Sequence, residues 1–155
     1  MPHRCRGFTL LELMIVIVLI GVLVGMVSFA TGMNPARQAR QEAHALAGMI
    51  RQLRERAVLE SQEYGVRLST DGYRAMRLDR RGWDPVMAFY QWPDNLRPRL
   101  KHDGYFVSLG ADEGSPQLLM LSSDETSVFT LTFETGDQSR LSLSSDGIGE
   151  VRIDG

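Results

Sequence analysis

One carboxylate sits where a charge is costly. In "RCRGFTLLELMIVIVLIGVLVGM", Glu12 interrupts a run that is otherwise almost wholly apolar from Phe8 to Ala30. A carboxylate in hydrocarbon costs at least ~2.5 kcal/mol on insertion scales, so its presence calls for something that offsets the cost. Other residues capable of chemistry are sparse. His3, His44 and His102 are the three histidines and Cys5 the one cysteine, and no His-x-x-x-His or Cys/His pair has the spacing of a zinc site. No Gly-x-Ser-x-Gly elbow occurs, and "DGIGEV" has two glycines without a third or a following helix, so hydrolase and dinucleotide readings fail. Asp124, Glu125 and Asp137 could contribute to a calcium site, but the spacing of an EF-hand is missing and a solvated acidic loop is the simpler account. The expectation is a non-enzymatic chain with no metal and no cofactor.

Stepping out from Glu12, the 23 residues from Phe8 to Ala30 would span ~34 Å as a helix, enough to cross a bilayer core. His3, Arg4 and Arg6 precede the run, which predicts a cytoplasmic start and an exported remainder, although Arg37 and Arg40 follow closely on the other side. A secretory signal peptide would need a shorter apolar region and a cleavage motif better than Ser28-Phe29-Ala30. A plain signal-anchor would leave Glu12 unexplained. The remaining chain, at 155 residues with 43% hydrophobic and 23% charged content, supports one small domain. A net charge of −2 gives no general basic surface for nucleic acid.

"RGFTLLELMIVIVLIGVL" resembles the class III signal of type IV pilins and type II secretion pseudopilins: a short basic leader ending in glycine, then Phe, then Thr-Leu-Leu-Glu-Leu opening a long apolar helix. The resemblance implies that a membrane-embedded prepilin peptidase cuts between Gly7 and Phe8 and methylates the new amine of Phe8. Residues 1–7 are then a cleaved leader, residues 8–30 a transmembrane and assembly helix, and Glu12 an assembly residue. Loss of Arg4 and Arg6 lowers the basic count from 17 to 15 against 19 acidic residues, a side-chain balance of −4.

Asn34-Pro35 reads as an N-cap and first helical position after a break at "TGMNP". Beyond it, Ala39, Ala43, Leu46, Ile50, Leu53 and Ala57 recur at alternating spacings of four and three, one apolar stripe of an amphipathic helix over 31–63. Arg37, Arg40, Gln41, His44, Arg51, Arg54 and Glu55 take the polar face, while Ile50, Leu53 and Val58 suit a core against a sheet. From 64 to 155 short alternating runs and turn residues predict a β-rich periplasmic domain, an antiparallel sheet of six to eight strands packed on the helix. "TDG" (70–72) is a short-loop hairpin signal whose Gly72 can take positive φ, and Asp146-Gly147 is a second turn. Phe129, Leu131 and Phe133 alternate with Thr130, Thr132 and Glu134 as in a half-buried strand. Residues 80–104, with Pro85, Pro93 and Pro98, read as a long connecting loop with a strand-like centre. Its Trp83, Phe89, Tyr90 and Trp92 read as core packing of that loop, with an exposed surface for a neighbouring subunit or a secreted protein as the alternative.

"RERAVLESQEYGVRLSTDGYRAMRLDRRGWDP" is similar to the helix-to-hairpin segment of H-type minor pseudopilins, which share a domain with T- and U-type minor pilins. The fold class implied is α+β and pilin-like, a long N-terminal α-helix (membrane stem plus amphipathic half) packed on one or more antiparallel β-sheets. The function implied is that of a structural minor pseudopilin near the filament tip, priming assembly. Its implied partners are other minor pseudopilins, the major pseudopilin, prepilin peptidase, the inner-membrane assembly platform, the inner membrane itself and secreted substrate proteins. A minor pilin of a type IV pilus is the alternative, and a membrane-anchored periplasmic enzyme or binding domain the rival of another class.

Overall fold

The computed structural model describes residues 10–30, 34–136 and 140–155. It divides into two compact units, one ending at Met33 and one running from Asn34 to Gly155. The first contributes helix α1 (Leu10–Ala30), whose sequence has no proline and a single charge, Glu12, in its first turn. Among the described side chains no helix is long and apolar enough to cross a membrane, and those of α1 end at Ile20. Phe8 and Thr9, the start of the expected span, lie outside the described residues.

In the second unit, α2 (Pro35–Glu60) begins where its sequence lets it. Asn34 caps it: Oδ1 accepts the Ala36 N–H at 3.0 Å, and Pro35 fills a position whose missing N–H costs nothing there. The helix ends on Ser61 in the left-handed conformation at φ 50°, and the Gln62 N–H closes back on the Ala57 carbonyl at 3.1 Å. All six residues of the expected stripe, from Ala39 to Ala57, are buried. Val58 is not part of that core. It stands one position past the stripe, so the helical twist turns it outward, and 43% of it is exposed.

Ten strands follow among the described residues: β1 (Tyr64–Leu68), β2 (Gly72–Asp79), β3 (Gly82–Pro85), β4 (Tyr90–Gln91), β5 (Leu96–His102), β6 (Tyr105–Val107), β7 (Leu118–Met120), β8 (Phe129–Thr135), β9 (Arg140–Ser145) and β10 (Arg152–Asp154). They form two antiparallel sheets. One runs β3-β2-β1-β7 with β4 also paired to β2, and the other runs β10-β9-β8-β5-β6. The expectation of six to eight strands is therefore corrected to ten among the described residues, arranged in two sheets. The miscount falls in residues 80–104, where the prolines suggested a loop. Pro98 lies inside β5 opposite Phe133, at a point where β6, which pairs only Leu100 to His102, no longer flanks the strand. A missing N–H is tolerated at such an edge.

The α2 stripe packs onto both sheets, with Val66 and Leu68 of β1, Leu118 and Met120 of β7, Leu131 and Phe133 of β8 and Leu143 of β9 in one core. β8 alternates as its sequence predicts, every second residue from Phe129 to Thr135 buried. The β1–β2 hairpin forms, but Gly72 does not need positive φ. An added Cβ there would lie 2.0 Å from the Tyr90 carbonyl oxygen and 2.5 Å from Phe89 Cζ, so this glycine admits β4 against β2. Gly147 does take positive φ, 93°, in the Asp146 turn.

Candidate functional site

The residues singled out for function fall in three places, and the first is the start of α1. Gly7 and Phe8 lie outside the described residues. Glu12 is described and sits in the first helical turn, where the aligned peptide dipoles leave a partial positive charge that favours a carboxylate. Its neighbours on every side are apolar and outward-facing, Leu11, Leu13, Ile15 and Val16 among them. A helix apolar all round has no face to offer water. From Leu10 to Ile20 the large apolar side chains of α1 are exposed on all sides, and Glu12 is the one charge among them.

The second place is the aromatic segment. Trp92 is a core residue: it is buried, its Nε1–H donates to the Ser69 carbonyl at 3.1 Å, and its ring meets Phe133 of the other sheet at 5.5 Å. Tyr73 stands 4.7 Å from Trp92 and 5.0 Å from Tyr90, so the rings form a wedge from the core to the surface. Core packing therefore describes Trp92, whereas Tyr90 stays 41% exposed and Trp83 and Phe89 are half-buried. The Tyr90 hydroxyl donates to Glu42 Oε1 at 2.9 Å. Burial first, then the bond to Glu42, pushes the Tyr90 phenol above its ordinary value, and burial followed by the Glu42 charge does the same to Tyr73. Glu42 itself is buried, a placement the polar stripe of the sequence did not single out.

The third place is the C-terminal turn region. Asp124 and Glu125 are exposed, Asp137 lies outside the described residues, and among the described residues no three His, Cys, Asp or Glu side chains gather around a common point. The Asp124 carboxylate faces a cation already in the chain. Arg54 Nε donates to Asp124 Oδ1 at 2.7 Å and to its carbonyl at 3.0 Å, while the two terminal nitrogens donate to the Gly149 and Ile148 carbonyls at 2.9 and 2.7 Å. Arg54 thus leaves the solvated face that the sequence assigns it and clamps α2 to two turns. Its acceptors are mostly backbone oxygens some 70 to 95 residues away, which no side-chain pattern announces. The Asp146 carboxylate accepts the Gly149 and Ile148 N–H groups at 2.7 and 3.2 Å, and these bonds hold its carboxyl below the usual range. His44 is exposed, and His102 Nδ1 lies 3.7 Å from Asp103 in the β5–β6 turn. Among the described residues these side chains make packing contacts, helix and turn caps and one cation clamp.

The family model described as "Prokaryotic N-terminal methylation motif" matches residues 2–28. The chain is 40% identical to type II secretion system protein H of Pseudomonas aeruginosa, covering 96% of this chain and 95% of that one. It is 25% identical to the protein of the same name from Aeromonas hydrophila, over 97% and 94% of the two chains. Among solved structures it is similar to that of the minor pseudopilin EpsH from the type II secretion system of Vibrio cholerae, at a TM-score of 0.67 and 23% identity over 77% of this chain and 95% of that one.

Proposed function

The chain belongs to the type II secretion system protein H family, and from that premise we propose how this minor pseudopilin is processed and assembled. Residues 1–7 are a leader removed by prepilin peptidase between Gly7 and Phe8, with the new Phe8 amine methylated. Residues 8–30 remain as the inner-membrane stem, and residues 64–155 form a β-rich periplasmic domain behind the segment 31–63 that carries the amphipathic helix α2. The observation that carries this reading is the match of the methylation motif to residues 2–28, which brackets Gly7, Phe8 and the one charge of α1, Glu12.

The chemistry follows from those three residues. A glycine before the cut leaves the scissile bond open to a peptidase that accepts only a very small side chain. Cutting creates an α-amine on Phe8, and methylation keeps it a cation. Four residues of helix rise about 6 Å, so the amine and Glu12 occupy the same edge of the apolar layer. In a stack of subunits offset along the axis, the Glu12 carboxylate of one meets the Phe8 amine of the next. A pair in low dielectric is stronger than one in water, and it offsets the desolvation of a carboxylate in an apolar layer. Docking is thereby favoured over remaining alone in lipid. The subunit joins other minor pseudopilins and the major pseudopilin near the tip of the filament, on the inner-membrane assembly platform, and works as a structural part of protein secretion rather than as an enzyme.

The test is the mature N-terminus. Mass spectrometry of the chain from an inner-membrane fraction should find monomethylated Phe8 as first residue, and Gly7→Val should retain the leader. An intact leader in the parent chain, or a normally trimmed Gly7→Val, would overturn the proposal.

A further inference from the structure

The most exposed aromatic pair of the β-domain is not in the tryptophan-rich segment but on the β5–β6 hairpin. His102 and Tyr105 close that hairpin across a two-residue turn in which Asp103 and Gly104 both have positive φ, 49° and 84°. This is the turn geometry that matches strand twist and holds a hairpin stiff. On it Tyr105 is 80% and Phe106 62% exposed, whereas Tyr73, Trp92 and Phe133 are buried. β6 ends its sheet, so along its outer side no strand faces its backbone among the described residues. Adjacent in the strand, Tyr105 and Phe106 stand on its two faces, Phe106 beside Lys101, so a further strand on this edge would meet one aromatic on each face.

Charge selects what fits there. Alternation along β5 puts Arg97, Arg99 and Lys101 on the sheet face away from Leu96 and Leu100, which are buried. The Arg99 guanidinium and the Lys101 ammonium lie 4.8 and 4.6 Å from the centre of the Phe106 ring. Two carboxylates stand near: Glu134, 3.2 Å from Arg99, and Asp103, which pairs with His102. Among the described residues neither Arg97 nor Lys101 has an ion-pair partner, so this face is locally basic on a chain whose net charge is −2. A lipid surface fits less well. The Phe106 ring cannot enter hydrocarbon without the cations resting on it, and the open backbone of β6 would lose its water without gaining a partner. A protein strand supplies that partner.

We propose that β6 is a docking edge that accepts an extended, carboxylate-rich segment of a partner protein as an added strand, with Tyr105 and Phe106 as apolar anchors and Lys101 and Arg97 as charge selectors. It adds a partner surface to the pseudopilin described above and rests on that reading for where it acts. The test uses the full chain in detergent micelles and a fluorescent eight-residue peptide of alternating Val and Glu, with a Val-Lys peptide as control. The Val-Glu peptide should bind saturably by anisotropy and slow amide exchange at 105–107. Arg97→Gln with Lys101→Gln, which puts no carboxylate opposite Glu134, and separately Tyr105→Ala with Phe106→Ala, should each weaken binding at least tenfold with unchanged melting. No saturable binding, equal binding of the Val-Lys peptide, or binding untouched by both variants would overturn the proposal. So would slowed amide exchange at 105–107 on transfer of the chain to phosphatidylglycerol vesicles without peptide. The assay needs no processing at Gly7, so its failure is distinct from failure of the processing reading.

Discussion

α1 and α2 are helices of 21 and 26 residues, and they dispose of their apolar side chains in opposite ways. Ile17 of α1 is 61% exposed, while Leu46 of α2 is fully buried. One helix is apolar on every side and carries a single carboxylate, and the other is apolar along one stripe and charged elsewhere. The difference separates two uses of hydrophobicity. In α2 it is spent inside the chain, on a core against two sheets. In α1 it faces outward from Leu10 to Ile20, and under the assembly proposal the one charged residue, Glu12, distinguishes one neighbour from another.

The sharpest way to break this contrast is at Glu12. Glu12→Leu should still be inserted and trimmed at Gly7, yet its crosslinking to neighbouring pseudopilins in the membrane should fall at least tenfold. Glu12→Asp, which keeps the charge on a shorter arm, should retain part of that incorporation. The unfolding midpoint of the Asn34–Gly155 unit should not move in either variant. If Glu12→Leu crosslinks and supports secretion like the parent chain, the carboxylate is not an assembly device.

Paired truncations to alanine test the other half of the comparison. Leu46→Ala removes a fully buried side chain from beneath both sheets and should destabilise the unit by about 2–5 kcal/mol, read from urea unfolding in micelles. Ile17→Ala should leave that same transition where it is. A large shift for Ile17→Ala would mean that α1 contributes to the core after all.

How far the sequence reveals these roles depends on where each residue's partners lie. The stripe from Ala39 to Ala57 and the alternation from Phe129 to Thr135 are legible because burial follows the helical or strand period, and Asn34-Pro35 and Asp146-Gly147 because their turn chemistry is local. The three strands β3 to β5 are not, since Pro85, Pro93 and Pro98 resemble breakers until the sheet edge beside Pro98 is known. Glu42 and Arg54 are hidden for a different reason. Both lie on a helix where polarity predicts exposure, and each is drawn inward by a partner distant in sequence: the Tyr90 hydroxyl, and the carbonyls of Asp124, Ile148 and Gly149. The exposed pair on β6 is missed because aromatic content, without the sheet order, directs attention to the tryptophans.

Arg54 gives a prediction of intermediate size. Arg54→Ala removes the clamp between α2 and two turns and should cost about 1–3 kcal/mol, towards the lower end because the freed Asp124 carboxylate is largely exposed and can rehydrate. Arg54→Lys should recover little, since one ammonium cannot span four acceptors set out for a planar fork. Arg51→Ala, one turn earlier on the exposed face, should stay within about 0.5 kcal/mol of the parent.

The smallest effect belongs at the first residue of the second unit. The Asn34 side chain accepts the Ala36 N–H, and its carbonyl accepts the Arg37 and Gln38 N–H groups at 2.9 and 3.1 Å. Asn34→Ala removes only the side-chain bond, so it should cost about 1 kcal/mol, the usual size of a lost N-cap. Pro35 still pre-sets the first helical residue, and Ala36 is exposed enough for water to replace the acceptor, which argues against a larger value. Asn34→Asp should preserve the bond and gain slightly from a negative charge at the positive end of the helix, whereas Asn34→Gly should lose only a few tenths of a kcal/mol. The ranking Asp at or above Asn, then Gly, then Ala, read as urea midpoints, is what a capping role requires. Equal midpoints for all four would mean that α2 is held in place by its stripe alone and that its cap is incidental.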